Sequence, residues 1–420
     1  MKEWNTSPFE DLYEIPSRNG LSKPSKIRGE VYKMINMGEL FANDWIYDIP
    51  MELVPLKDAE KVNAKIEPYD LLFARQSLVE SGAGKCSIVL ETSELTVFES
   101  HLIRVRLKKD IADPLFYYYY FKSSSSPIKA IVQHCVQAGI KGSDLAKLNV
   151  AVPPILEQKK IASILSSIDE KIEKNNQINR NLSEQAQALF QSWFVDFEPF
   201  GGCRPDDWKD GILDEIIDFS NGYAFKGKEL LDAPDPEREC YDVFKQGHIN
   251  RGGGFNITGT KSWYPKEMAK GLDKFVLRKG DVLMAMTDMK DNVAILGNTA
   301  VMELDGKYIV NQRVGLLRPT GIYGIQYPYI SLLTNSHDFL KDLRSRANSG
   351  VQVNLSSNEI RNSAIIIAPE NVNKEFNELV MPLFETMIEN DLENQKLSDL
   401  RDTLLPKLMS GELDVSDLEI

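Results

Sequence analysis

In two stretches of this chain, apolar residues recur at alternating steps of three and four. The first reads Ile161, Leu165, Ile168, Ile172, Asn175, Asn179, Leu182, Ala186, Leu189, Trp193. The second reads Phe376, Val380, Leu383, Met387, Asn390, Asn394, Leu397, Arg401, Leu404, Leu408. A 3.5-residue period is the stripe of a coiled coil, so each stretch predicts a long amphipathic helix. Shifted by 215 positions the two coincide, with Pro154 falling on Pro369 and Trp193 on Leu408. Asparagines break both seams at the same places: Asn175 and Asn179, then Asn390 and Asn394. A polar residue on a seam lowers stability and fixes register, because a slipped pairing strands buried amides. These four are read as register residues, the plainer alternative being solvated mid-helix positions. Antiparallel packing brings them together near the middle. Pro382 is expected to kink the second helix or begin it afresh, and Gly411 to stop it.

Before each helix lies a segment of short apolar runs bounded by turn-formers, which predicts strands. Asp70, Leu71, Leu72, Phe73, Ala74 matches Asp281, Val282, Leu283, Met284, Ala285. Trp4 answers Trp208, Gly20 answers Gly222, and Gly139 answers Gly350. Arg104, Val105, Arg106, Leu107 aligns with Arg313, Val314, Gly315, Leu316. The chain is thus written twice. The expected fold class is α+β: two mixed α/β globules separated by two long antiparallel coiled-coil helices, a pseudo-twofold internal repeat. Residues 1–154 form the first globule, 155–198 the central helix, 199–371 the second globule, and 372–420 the distal helix and tail. Glu198 to Pro205, full of turn-formers, links the halves.

Length and composition agree with this layout. At roughly 100–200 residues per domain, 420 residues allow two to four units. No run of apolar residues is long enough to cross a membrane, and the N-terminus shows no signal-peptide stretch. Cys86, Cys135, Cys203 and Cys240 lack metal-ligand spacing and read as reduced thiols of a cytoplasmic protein. The net charge of −13 argues at first against nucleic acid. Residues 371–420, however, hold 12 acidic and 4 basic side chains, so the globules are close to neutral. A neutral domain can still gather its cations on one face.

Catalytic signatures are missing. There is no Asn-Pro-Pro-Tyr-like stretch for gripping a flipped base and no glycine-rich cofactor loop after a strand. Gly82, Ala83, Gly84, Lys85, Cys86 is half a phosphate loop, with Cys86 where a magnesium-binding hydroxyl belongs. Asp235 with Asp288, Met289, Lys290 only loosely mimics a nuclease pattern. Arg251 to Gly254 reads as a turn. The run Tyr117 to Tyr120 is expected on a helix, partly buried and partly open to water. No catalytic or metal-binding residue is assigned.

Pro153, Pro154, Ile155, Leu156, Glu157, Gln158, Lys159, Lys160, Ile161, Ala162, followed by the long helix, resembles the central conserved region of type I restriction-modification specificity subunits. Leu404 to Gly411 resembles the end of their distal conserved region. The second proline-glutamine entry departs from the pattern: Glu157 and Gln158 become Val372 and Asn373, which questions equal partner contacts at the two ends. The resemblance implies two target-recognition domains that read a bipartite, asymmetric site in double-stranded DNA for host defence. It also implies two methylation subunits carrying S-adenosylmethionine, and restriction subunits carrying ATP and magnesium. This chain then has no cofactor of its own and is not an enzyme. A non-DNA structural adaptor, or the recognition half of a fused methyltransferase-nuclease, are the competing readings.

Sequence is read at base edges by short polar and basic side chains on loops and strands. About 38 helical residues rising about 1.5 Å each make a ruler of roughly 57 Å between two reading heads. Candidate DNA contacts are Arg75, Gln76, Lys85 and Lys141 in the first globule. In the second they are Thr287, Lys290, Asn311, Arg313 and Gln352. They follow predicted strands or flank the Gly139 and Gly350 loops. Trp193, Phe194 and Phe197 cluster at one helix end and are read as a partner-binding patch, the alternative being core.

Overall fold

A computed structural model describes residues 4–77, 82–133, 138–289, 293–349, 352–416 and 418. The chain divides into two compact units, residues 1–174 with 393–420, and residues 175–392. Each unit therefore owns one globule and half of each long helix. The helices run Ile155–Phe194 and Glu370–Met409, 40 residues apiece.

The first globule is built on a five-stranded sheet. Its order is Tyr13–Asn19, Leu102–Leu107, Leu71–Ala74, Cys86–Val89 and Trp45–Ile46. The second repeats that order with four strands: Ile217–Asn221, Val314–Pro319, Val282–Ala285 and Thr299–Val301. A three-stranded sheet also recurs. Tyr32–Ile35 lies between an antiparallel and a parallel neighbour, and so does Cys240–Phe244. A two-stranded ladder leads into each helix, Asn5–Pro8 with Asn149–Val152 and Lys209–Ile212 with Ala364–Ile367. The central strands are apolar on both faces because each is covered twice.

The pairing register corrects one sequence alignment. Ala74 lies opposite Leu102, and Ala285 opposite Val314. Leu102 is therefore the counterpart of Val314, and Arg106, not Arg104, is the counterpart of Arg318. The Arg-Val runs at Arg104 and Arg313 are alike in letters but displaced by three positions in the sheet. With the register right, a repeated ion pair emerges. Arg106 grips the buried carboxylate of Asp70 from Nε and Nη2 at 2.7 and 2.8 Å. Arg318 grips Asp281 in the same way at 2.8 and 2.7 Å. Gly20 and Gly222 are also confirmed as counterparts. A Cβ on either would stand 2.1 or 2.2 Å from a carbonyl oxygen, that of Phe98 or Asn311, so only glycine fits.

Within each unit the helix halves run antiparallel and enter the globule's core. In the first unit Ile161, Ala162 and Leu165 share a core with Leu405, Leu408 and Met409. Ion pairs join Asp169 to Arg401 at 2.7 Å and Lys171 to Glu393 at 3.0 Å. In the second unit Phe190, Trp193 and Phe194 pack with Phe376, Val380 and Phe384. The asparagine seam is present there. Asn390 Nδ2 donates to Asn179 Oδ1 at 2.8 Å, and Asn179 Nδ2 donates to Asp391 Oδ1 at 2.9 Å. Asn175 of the same unit is buried, and Asn394, which belongs to the first unit, is half-buried.

Pro382 does not start a new helix, because Glu370–Met409 passes through it unbroken. Pro382 and Glu378 lie on the exposed side, which leaves the freed carbonyl to solvent. Gly411 ends the helix at φ 66°.

Candidate nucleic-acid interface

The second globule gathers its candidates. Strand Thr287–Met289 leaves the end of Val282–Ala285 and pairs with Gln352–Asn354, so Met289 faces Gln352. Asn311 and Arg313 lie in the turn between Tyr308–Val310 and Val314–Pro319. Thr287, Asn311 and Arg313 line one open cleft of about 500 Å³. Lys245, Gln246 and Thr260 line it too, and the sequence reading missed them. Their signal was the position of Lys245 and Gln246 directly after strand Cys240–Phe244.

The cleft is organised by its own hydrogen bonds. Gln246 accepts from Thr287 Oγ1 at 2.5 Å and donates to the Thr287 carbonyl, which pins both polar groups. Asn311 Oδ1 accepts from the Arg313 backbone at 3.3 Å. The Arg313 side chain is exposed, and its guanidinium has no hydrogen bond or ion pair among the described residues. Asp288, whose surroundings loosely mimic a nuclease pattern, is a loop staple. Its carboxylate accepts from the backbone of Met289, Ala294, Ile295 and Leu296. Lys290 lies outside the described residues, and of Gln352 only the backbone is described.

In the first globule Gln76–Ser77 pairs with Ala138–Gly139, and Ile140 N–H donates to the Arg75 carbonyl at 2.9 Å. That ladder brings Arg75, Gln76 and Lys141 together. Gly139 is required because a Cβ there would meet the Arg75 carbonyl at 2.9 Å. Arg75 Nη1 donates to the Ser100 carbonyl at 3.3 Å, whereas Lys141 is exposed and its ammonium has no partner among the described residues. Lys85 stands apart. Its ammonium donates to the Phe41 carbonyl at 2.9 Å and pairs with Asp44 at 3.2 Å. Burial opposes ionisation of Asp44, but Lys122 and Lys85 prevail and hold its carboxyl below the ordinary value. Cys86 is buried in a strand, and burial pushes its thiol up.

The aromatic readings resolve toward packing. Tyr117, Tyr118 and Tyr119 are fully buried and Tyr120 is half-buried, so the run packs inward instead of opening to water. Trp193 and Phe194 are core residues and not a partner patch. They are 9% and 5% exposed, and Phe194 sits edge-on to Phe376 at 4.8 Å. Phe197 is half-buried against the same core, 5.5 Å from Trp208 between ring centres. A helix end cannot reveal from its own sequence which surface covers it.

The altered helix entry also proves internal. Gln158 Nε2 donates to the Pro153 and Ile111 carbonyls, at 2.8 and 3.0 Å. Asn373 Nδ2 donates to Ala368 and Tyr323 in the same pattern, at 2.9 and 3.0 Å. Both amides are buried and tie a helix start to its globule. Cys135 lies outside the described residues. Among the described residues no cluster suited to a metal ion occurs, and no helix is long and apolar enough to cross a membrane.

A chain folded twice over, with open polar surfaces at matching strand ends, defines a two-headed recognition protein. The family of type I restriction modification DNA specificity domains matches it at residues 1–184 and again at 205–400, and the chain belongs to that family. It is similar to the type I restriction enzyme MjaIX specificity subunit of Methanocaldococcus jannaschii, at 26% identity over 99% of this chain and 95% of that one. The HindI specificity subunit of Haemophilus influenzae is 25% identical over 90% of this chain and 94% of its own length. The crystal structure of a type I restriction-modification S subunit from M. genitalium shares the fold, with TM-score 0.60 and 17% identity over 97% and 96% of the two chains.

Proposed function

We propose that this chain is the DNA-reading specificity subunit of a type I restriction-modification system. In this reading it is itself non-catalytic and works in the cytoplasm. The observation that carries the reading is the duplication: two family domains in one chain, each with its own polar residues at the same strand ends. Because Thr287, Asn311 and Arg313 have no identical counterparts in the first globule, the two half-sites differ. The second half-site is read through the Gln246–Thr287–Arg313 cleft, and the first around Arg75, Gln76 and Lys141. Phosphate contacts position each globule and base edges specify. Two methylation subunits supply S-adenosylmethionine chemistry, and restriction subunits supply ATP- and magnesium-dependent steps.

The test is methylation mapping of DNA from cells expressing the chain with its methylation and restriction partners. The expected result is adenine methylation at one motif of two unlike parts, lost when this chain is omitted. A continuous motif, or methylation independent of this chain, overturns the reading. Failure to bind any duplex together with a methylation subunit points to an adaptor instead.

A further inference from the structure

The second unit holds a cavity of about 510 Å³, walled by faces of both helix halves and of the globule. Phe190, Phe384, Ile388 and Leu332 form its apolar part, Gln187, Gln191 and Asn335 add neutral polar groups, and Glu303 and Asp391 bring two carboxyls to its wall. Among the described residues no lysine or arginine lines it, and the basic side chain on its wall is His337. Glu303 is 8% exposed and makes no hydrogen bond or ion pair among the described residues. Asp391 accepts one hydrogen bond, from Asn179 at 2.9 Å. Burial, with the other carboxyl nearby, pushes Glu303 up to about 8, and burial pushes Asp391 up to about 6.

The fold does not need an acid at Glu303. Strand Cys86–Val89 pairs Ile88 with Leu71, and strand Thr299–Val301 pairs Val301 with Val282. Two residues beyond these matched positions stand Leu90 in the first globule and Glu303 in the second. The same place therefore accepts leucine. A carboxyl set largely out of water without a hydrogen-bond or ionic partner costs stability.

We propose that this cavity binds a small organic cation. Its guanidinium or ammonium head sits between Glu303 and Asp391, and its apolar stem lies against Phe190, Phe384 and Leu332. The volume falls in the range of small-molecule sites, and its wall offers both an apolar surface and polar anchors. Two carboxyls in a cavity also lined by aromatic side chains suit such a head, whereas a hard metal ion takes more oxygen ligands.

The experiment titrates the full chain with benzamidine by calorimetry, using benzamide as the neutral isostere. Benzamidine is expected to bind one per chain, with benzamide at least about tenfold weaker, because only the cation gains charge-assisted hydrogen bonds. Glu303→Gln and Asp391→Asn are each expected to weaken benzamidine by about tenfold. Benzamidine should raise the melting temperature of the unaltered chain more than that of Glu303→Gln at the same concentration. A melt of each variant alone confirms that it folds. Absence of benzamidine binding at millimolar concentration overturns the proposal, as does equal binding of benzamide or unchanged binding by both variants. DNA methylation mapping is independent of this outcome.

Discussion

Replacing Arg318 with methionine tests whether the repeated Asp–Arg pair holds each globule's sheet. Asp281 has a side chain 3% exposed and accepts three hydrogen bonds, two from Arg318 and one from the Arg278 backbone at 2.8 Å. Methionine keeps the stem's bulk and deletes two charge-assisted bonds of about 1.5–3 kcal/mol each. Removing one partner of a buried pair typically costs about 3–5 kcal/mol, and here the arginine side chain is 22% exposed, which favours the lower end. About 3 kcal/mol should therefore be lost from the second unit, which is about a hundredfold in its opening equilibrium. Because the chain divides into two compact units, a single melting curve would blend their contributions. Hydrogen exchange read on separate peptides keeps them apart. Peptides over Val282–Ala285 should exchange about a hundredfold faster, while those over Leu71–Ala74 should be unchanged. Adding Asp281→Leu to Arg318→Met should cost much less than the two single changes together, because no charge is then left buried. A loss below about 1 kcal/mol would make the pair no better than a surface bridge and refute the reasoning. Additive single and double changes would do the same.

Arg313→Ala should weaken binding to the methylated motif by about 1–3 kcal/mol and relax one position of one half-site, read by mapping the variant's methylation. Trp193→Ala should destabilise the second unit by about 3–5 kcal/mol with no partner present, measured by denaturation of the isolated chain. Asn390→Leu removes the donor to Asn179 and should cost about 1–3 kcal/mol, visible as faster exchange in the distal helix. The folded chain keeps protons on Glu303 and Asp391, at about 8 and about 6, that the unfolded chain releases near ordinary carboxylate values. Stability therefore falls as pH rises through that window, and Glu303→Gln should flatten the slope in pH-dependent melts.

The helix seams were legible because a 3.5-residue apolar period is local, and both helices follow it along their buried positions. The Asp70 and Asp281 motifs were legible for a similar reason, since each is a short apolar strand after a turn acid. The alignment of Arg104 with Arg313 failed because sheet register is set by partners far away in sequence. Arg106 and Arg318 are matched by their carboxylates and not by their neighbours in the chain. Thr287, Asn311 and Arg313 were chosen one at a time from strand ends, and the cleft that joins them draws on strands about 20–70 residues apart in sequence. Lys245 and Gln246 also follow a strand, Cys240–Phe244, but only the tertiary structure shows that this strand end opens onto the same cleft.

From the sequence alone came the duplication, the paired helices with asparagines on their seams, and the lack of catalytic motifs, because periodicity and repetition are properties of neighbouring residues. Tertiary structure alone decided that Trp193 and Phe194 are core and that Lys85 is spent on Asp44. It also decided that Asp288 staples a loop and that Glu303 faces a cavity. Each of those outcomes depends on which distant surface covers a side chain or supplies its hydrogen-bond partner, and a linear pattern does not carry that information.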